Sequence, residues 1–103
     1  MTLSWTGGSP GAFVQITGSS YTSGANAVGA TFTCAGPLAA GQFTVPPSIL
    51  LSLPVSAPNT GNQTTSILTI GQVVNGQFSG ASSNLDVTVI QSNIGYSITV
   101  QYQ

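Results

Sequence analysis

The chain has 103 residues, 41% of them hydrophobic and 1% charged; Lys, Arg, His and Glu are absent and Asp86 is the single acidic side chain. No cationic side chain means no grip on nucleic-acid phosphates or anionic lipid, and a lone carboxylate without His leaves no acid–base pair, no base for a Ser nucleophile and no metal-ligand set. The composition therefore argues for a protein that is not an enzyme, takes no cofactor or metal, binds no nucleic acid and has no segment to insert in a membrane.

The predicted elements follow a period of two almost throughout. Residues 2–6 place Leu3 and Trp5 on one face, and Gly7-Gly8-Ser9-Pro10-Gly11 then turns the chain. Residues 12–17 form the next strand, with Val14 and Ile16 inward and Phe13 and Gln15 opposite. Residues 18–26 read as a loop holding Tyr21, and residues 27–34 as a strand ended by Gly36-Pro37. In that strand Cys34 alternates with Phe32 and Ala30, and no neighbouring cation lowers its pKa; it reads as a small core residue. Residues 42–45 are a further short strand.

The apolar run Ile49-Leu50-Leu51 lies between prolines. It predicts a short helical plug, capped by Ser48, stopped at Pro54, and packing Ile49 or Leu50 and Leu53 on an open end of the fold. Residues 56–65 form a polar loop that carries an Asn62-Gln63-Thr64 sequon. Residues 66–70 and 71–74 predict one strand bent at Gly71, and Asn75-Gly76 predicts a hairpin turn returning through 77–79. Residues 85–89 and 96–102 alternate cleanly and predict a final hairpin across a turn at 91–95, with Tyr96, Ile98, Val100 and Tyr102 inward and Ile90 at a bulge or strand end. Asp86 falls outward on the first of these strands.

Seven to eight short strands with Gly and Pro punctuation and one helical turn predict a single all-β domain over residues 1–103, an antiparallel β-sandwich of the Ig-like or fibronectin-like kind. Its neutral surface must be wetted by Ser, Thr, Asn and Gln, and it must fold without ion pairs, which on a surface add only about 0–1 kcal/mol each. The start has neither the basic nor the long apolar region of a signal peptide, so Met1 reads as a start codon placed before an excised domain.

Phe32-Thr33-Cys34, Gly41-Gln42-Phe43-Thr44-Val45-Pro46, Leu53-Pro54 and the opening Leu3-Ser4-Trp5-Thr6-Gly7-Gly8 together resemble a pattern in secreted acidobacterial proteins. There it looks like an Ig-like or fibronectin-like module at the C-terminal end of a longer chain. The resemblance implies a secreted or cell-surface parent of unknown role, and no catalytic residue comes with it.

The expected function is a structural or spacer module, with carbohydrate binding or adhesive strand pairing as the alternatives. Trp5, Phe32, Tyr96 and Tyr102 alternate with polar residues and are expected in the core. Phe13 and Tyr21 are the candidate surface-recognition residues, because Phe13 opposes Val14 and Ile16 and Tyr21 stands in a Gly/Ser stretch. The expected partners are a polysaccharide or neighbouring domains of the parent chain, and the isolated domain is expected to be a monomer. The final strand carries no Lys to guard an edge against another chain.

Overall fold

A computed structural model describes residues 1–58, 64–78 and 88–102. Among the described residues the chain forms six strands, a 3-10 turn and one short helix. In order these are β1 (Thr2–Ser4), β2 (Phe13–Tyr21), β3 (Gly29–Pro37), the 3-10 turn (Leu38–Ala40), β4 (Gln42–Thr44), α1 (Pro47–Leu51), β5 (Ser66–Phe78) and β6 (Thr88–Thr99). All pairings are antiparallel. One sheet has two strands, β1-β4; the other has four, in the order β3-β2-β5-β6.

The alternating pattern fixes which face each strand presents. Directly opposed residues share a face, so the register defines rows running across the larger sheet. Three rows face inward: Phe32–Gly18–Leu68–Ile98, Cys34–Ile16–Ile70–Tyr96 and Gly36–Val14–Gln72–Ile94. Two on the other face are rich in hydroxyls: Thr33–Thr17–Thr69–Ser97 and Thr31–Ser19–Ile67–Thr99. Cross-strand hydrogen bonds link Thr17 to Thr33 (3.4 Å) and Thr69 to Ser97 (2.9 Å). Neutral side chains thus supply the hydration that charges provide elsewhere.

The smaller sheet, the 3-10 turn and α1 form the second layer. Val14, Ile16, Phe32, Val45 and Leu68 make the buried core, and Leu3, Trp5, Leu38, Phe43, Ile49, Leu50 and Leu53 pack on it. Gly18 and Gly36 leave room for aromatic rings. A Cβ on Gly18 would lie 2.3 Å from Phe32, and one on Gly36 would lie 3.1 Å from Phe43. Seams are closed by buried hydroxyls: Ser20 Oγ donates to the Pro54 carbonyl at 2.6 Å, and Ser66 Oγ donates to the Val100 carbonyl.

Several sequence expectations are corrected. Among the described residues there are six strands rather than seven to eight; β2, β3, β5 and β6 are longer than predicted, and β1 and β4 shorter. β2 runs on through Gly18 to Tyr21, where a loop was predicted. Asn75-Gly76 is not a turn: Asn75 pairs with Gln91 and Gly76 with Ile90 inside the β5–β6 ladder. Residues 91–95 are likewise strand, so 88–99 of the predicted final hairpin form one long strand, β6, while 85–87 lie outside the described residues. The physical reason is the continuous twelve-pair register from Ile67↔Thr99 to Phe78↔Thr88. Its backbone hydrogen bonds outweigh a local turn preference, which permits positive φ but does not compel it.

Gly71 faces Gly95 in that ladder, and a Cβ on Gly95 would lie 2.9 Å from the Ile70 carbonyl oxygen. These glycines serve close backbone approach rather than bending. The helix forms where expected, with Ile49, Leu50 and Leu53 inward, but Pro46 rather than Ser48 is its N-cap. Ser52 closes it, donating from Oγ to the Ile49 carbonyl at 2.6 Å. Pro47 at the first helical position explains the start, since its ring presets φ and its missing N–H costs nothing there. Asp86 and Asn62-Gln63 of the sequon lie outside the described residues.

Candidate functional site

The two layers are unequal, and their mismatch creates the most distinctive surface of the molecule. The smaller sheet and the helix pack on core residues of β2, β3 and β5: Val14, Ile16, Phe32, Cys34, Leu68 and Ile70. They stop short of β6. Each inward row therefore begins in the core and ends in solvent: Ile94 is 78% exposed, Tyr96 71% and Ile98 45%. Only at Val100, beyond the strand, does the chain pack partly on the core again. Tyr96 was expected in the core from its alternation. It occupies the core-facing side, but nothing among the described residues lies over it.

Above Tyr96 and Ile94 runs an open groove of about 400 Å³. One wall comes from Trp5 and the stretch that follows β1, including Thr6, Gly7 and Gly8; the floor is Ile70, Gly71 and Gln72; the far wall is β6. Trp5 is fixed because its indole N–H donates to the Leu38 carbonyl at 2.7 Å. The Gln72 Oε1 accepts from the Ser9 N–H at 3.2 Å, tying the turn after β1 to the floor. The Trp5 indole and the Gln72 carbonyl oxygen that border the groove are thus both hydrogen-bonded. Its lining combines the aliphatic Val14, Leu38, Ile70 and Ile94 with the Trp5 and Tyr96 rings, the Gln72 amide and the Ser4 and Thr6 hydroxyls.

Among the described residues β6 is also an edge of its sheet. Beyond Val73, the last β5 residue paired with β2, β5 and β6 continue alone for five pairs, from Val74↔Ser92 to Phe78↔Thr88. At about 3.4 Å per residue this two-stranded arm reaches roughly 17 Å past the four-stranded sheet. The open edge is therefore long as well as apolar.

Phe13 and Tyr21, the surface candidates from sequence, are both exposed, at 52% and 46%. They lie at opposite ends of β2 on the hydroxyl-bearing face and are not brought together. Phe13 stands opposite Val73 and Pro37, and the Tyr21 ring lies over Gly29, where a Cβ would come within 2.2 Å of it. Both cover neighbours on their own sheet. Cys34 is a free thiol, half-buried on the inward face opposite Ile16. Tyr102, beyond β6, is pinned through its backbone: its N–H donates to Ser56 Oγ at 2.8 Å and its carbonyl accepts from the Ser56 N–H at 3.0 Å. Its hydroxyl is buried with no hydrogen-bond partner among the described residues, and burial raises its pKa above the ordinary 10.0.

Sequence reasoning missed Ile94 as a site residue and mistook Tyr96 and Ile98 for core, because alternation marks a face and does not say what covers it. No family model, curated protein or solved structure matches this chain.

Proposed function

We propose that this domain is a non-catalytic structural module of an exported bacterial protein, spacing or displaying its neighbours and meeting them through the open face of β6. The observation that supports this is the stripe Ile94–Tyr96–Ile98, which continues the core rows yet stays in solvent. Large apolar groups clustered on a surface mark contact sites far more often than isolated ones do. The near absence of charge in the chain fits a passive role, since neither substrate activation nor electrostatic steering is available.

A second reading, carbohydrate binding, is favoured by one feature. The groove sets Trp5 and Tyr96 beside the Gln72 amide and the Ser4 and Thr6 hydroxyls, a combination that can stack on and hydrogen-bond a sugar. Affinity electrophoresis and pull-down on a panel of soluble and insoluble polysaccharides separate the two. The structural reading expects no retention by the wild type. Retention that is lost in Tyr96→Ala and kept in Phe13→Ala and Tyr21→Ala would replace it with the carbohydrate reading.

A further inference from the structure

We infer that the open edge is closed by a second copy of the chain, with β6 pairing antiparallel to β6 of its mate about a two-fold axis at Tyr96. This goes beyond the structural reading, which survives if the neighbour proves to be a different chain.

The argument starts from register. In an antiparallel pair, directly opposed residues share a face. A two-fold axis at Tyr96 sets Tyr96 against Tyr96, and each Ile94 against the Ile98 of the mate. Every exposed apolar group of the stripe then meets another on the inward side. On the other face Gly95 opposes Ser97, a pair without bulk. About this axis the exposed stripe is self-complementary. A shift of one residue sets Gly95 against Tyr96 and turns the apolar sets to opposite faces.

Charge and area point to the same occupant. Edges are usually guarded by Lys, Pro or inward charge; β6 carries none of these. With a formal net charge of −1 per chain, two copies approach almost without repulsion. The exposed parts of Ile94, Tyr96 and Ile98 amount to roughly 400 Å² per copy. The mate strand shields them from the side, so two copies would bury at most roughly 800 Å² there, plus the backbone ladder. That lies at the low end of specific interfaces, where weak and transient associations are found. The dimer should therefore form at high local concentration, as on a densely covered surface, and the dilute domain should be a monomer.

The test uses charge at the axis. Tyr96 is exposed, so Tyr96→Lys and Tyr96→Glu should fold, which circular dichroism checks. Sedimentation of the wild type should show reversible dimerisation at high protein concentration. Each variant alone sets like charges face to face and should dimerise at least about tenfold more weakly. An equimolar mixture of the two sets Lys against Glu and should restore the dimer. In a Cys34→Ser background, Tyr96→Cys should also oxidise to a covalent dimer, because opposed Cα atoms lie within disulfide reach; Val28→Cys, exposed but away from the edge, should not. A wild type that stays monomeric at millimolar concentration overturns the inference, as does a dimer indifferent to Tyr96→Lys or a mixture that fails to restore it. None of these results bears on polysaccharide retention, so the failure of this inference and of the structural reading are distinguishable.

Discussion

Gly18→Ala is the sharpest probe of how this core is packed. Gly18 lies on the inward face of β2 at an ordinary extended backbone conformation, outside the positive-φ region. Alanine there carries no backbone strain and should gain about 0.5–1 kcal/mol from reduced freedom of the unfolded chain. Space decides otherwise. The added Cβ would lie 2.3 and 2.6 Å from the Phe32 ring and 2.7 Å from the Tyr102 hydroxyl. Both rings are boxed in: Phe32 belongs to the buried core, and Tyr102 is held through its backbone by Ser56. Overpacking a filled core costs about 1–3 kcal/mol, and two rings must move, so the upper half of that range applies.

The net expectation is a loss of about 1–2.5 kcal/mol, or roughly 5–15 °C in melting temperature for a domain this size. Urea unfolding followed by Trp5 fluorescence measures it. The double variant Gly18→Ala/Phe32→Leu should lose at least about 1 kcal/mol less than the sum of its parts, because the smaller side chain frees the contested volume. A Gly18→Ala protein as stable as wild type, or strict additivity in the double variant, would refute this account of the packing.

Other expectations concern the buried hydroxyls. Tyr102→Phe removes a buried hydroxyl that lacks a hydrogen-bond partner among the described residues; it should be neutral or stabilise by up to about 1 kcal/mol in the same urea titration. The raised pKa of Tyr102 also sets a pH dependence. The unfolded chain loses this proton near pH 10 while the folded one keeps it, so the folded state binds more protons and stability must fall as pH rises above 10. Melting temperatures recorded from pH 8 to 11 should be level at first and then decline, with the decline reduced in Tyr102→Phe; an unchanged slope in that variant would exclude Tyr102 as its source. Ser20→Ala should cost about 1–2 kcal/mol by urea titration, since it leaves the Pro54 carbonyl without the hydroxyl that donates to it.

Much of this molecule was legible in its residues. Alternation in 2–6, 12–17 and 27–34 set Leu3, Val14, Ile16 and Phe32 on the faces that the structure turns to the core. Prolines around Ile49-Leu50-Leu51 marked the helix. These are local properties: a two-residue period and a fixed φ act wherever the strand ends up.

What the sequence could not decide was extent and coverage. Asn75-Gly76 is competent to turn and is held straight only because Gln91 and Ile90 face it across the ladder. Tyr96 and Phe32 carry equivalent alternating signals, yet one is wet and the other buried, because among the described residues the core takes in none of β6. Burial depends on what lies above a face, and that is settled by partners distant in the chain. The amino-acid order alone thus determined a two-faced β-protein with a single charged side chain. The tertiary packing alone decided that one apolar stripe would be left at an open edge.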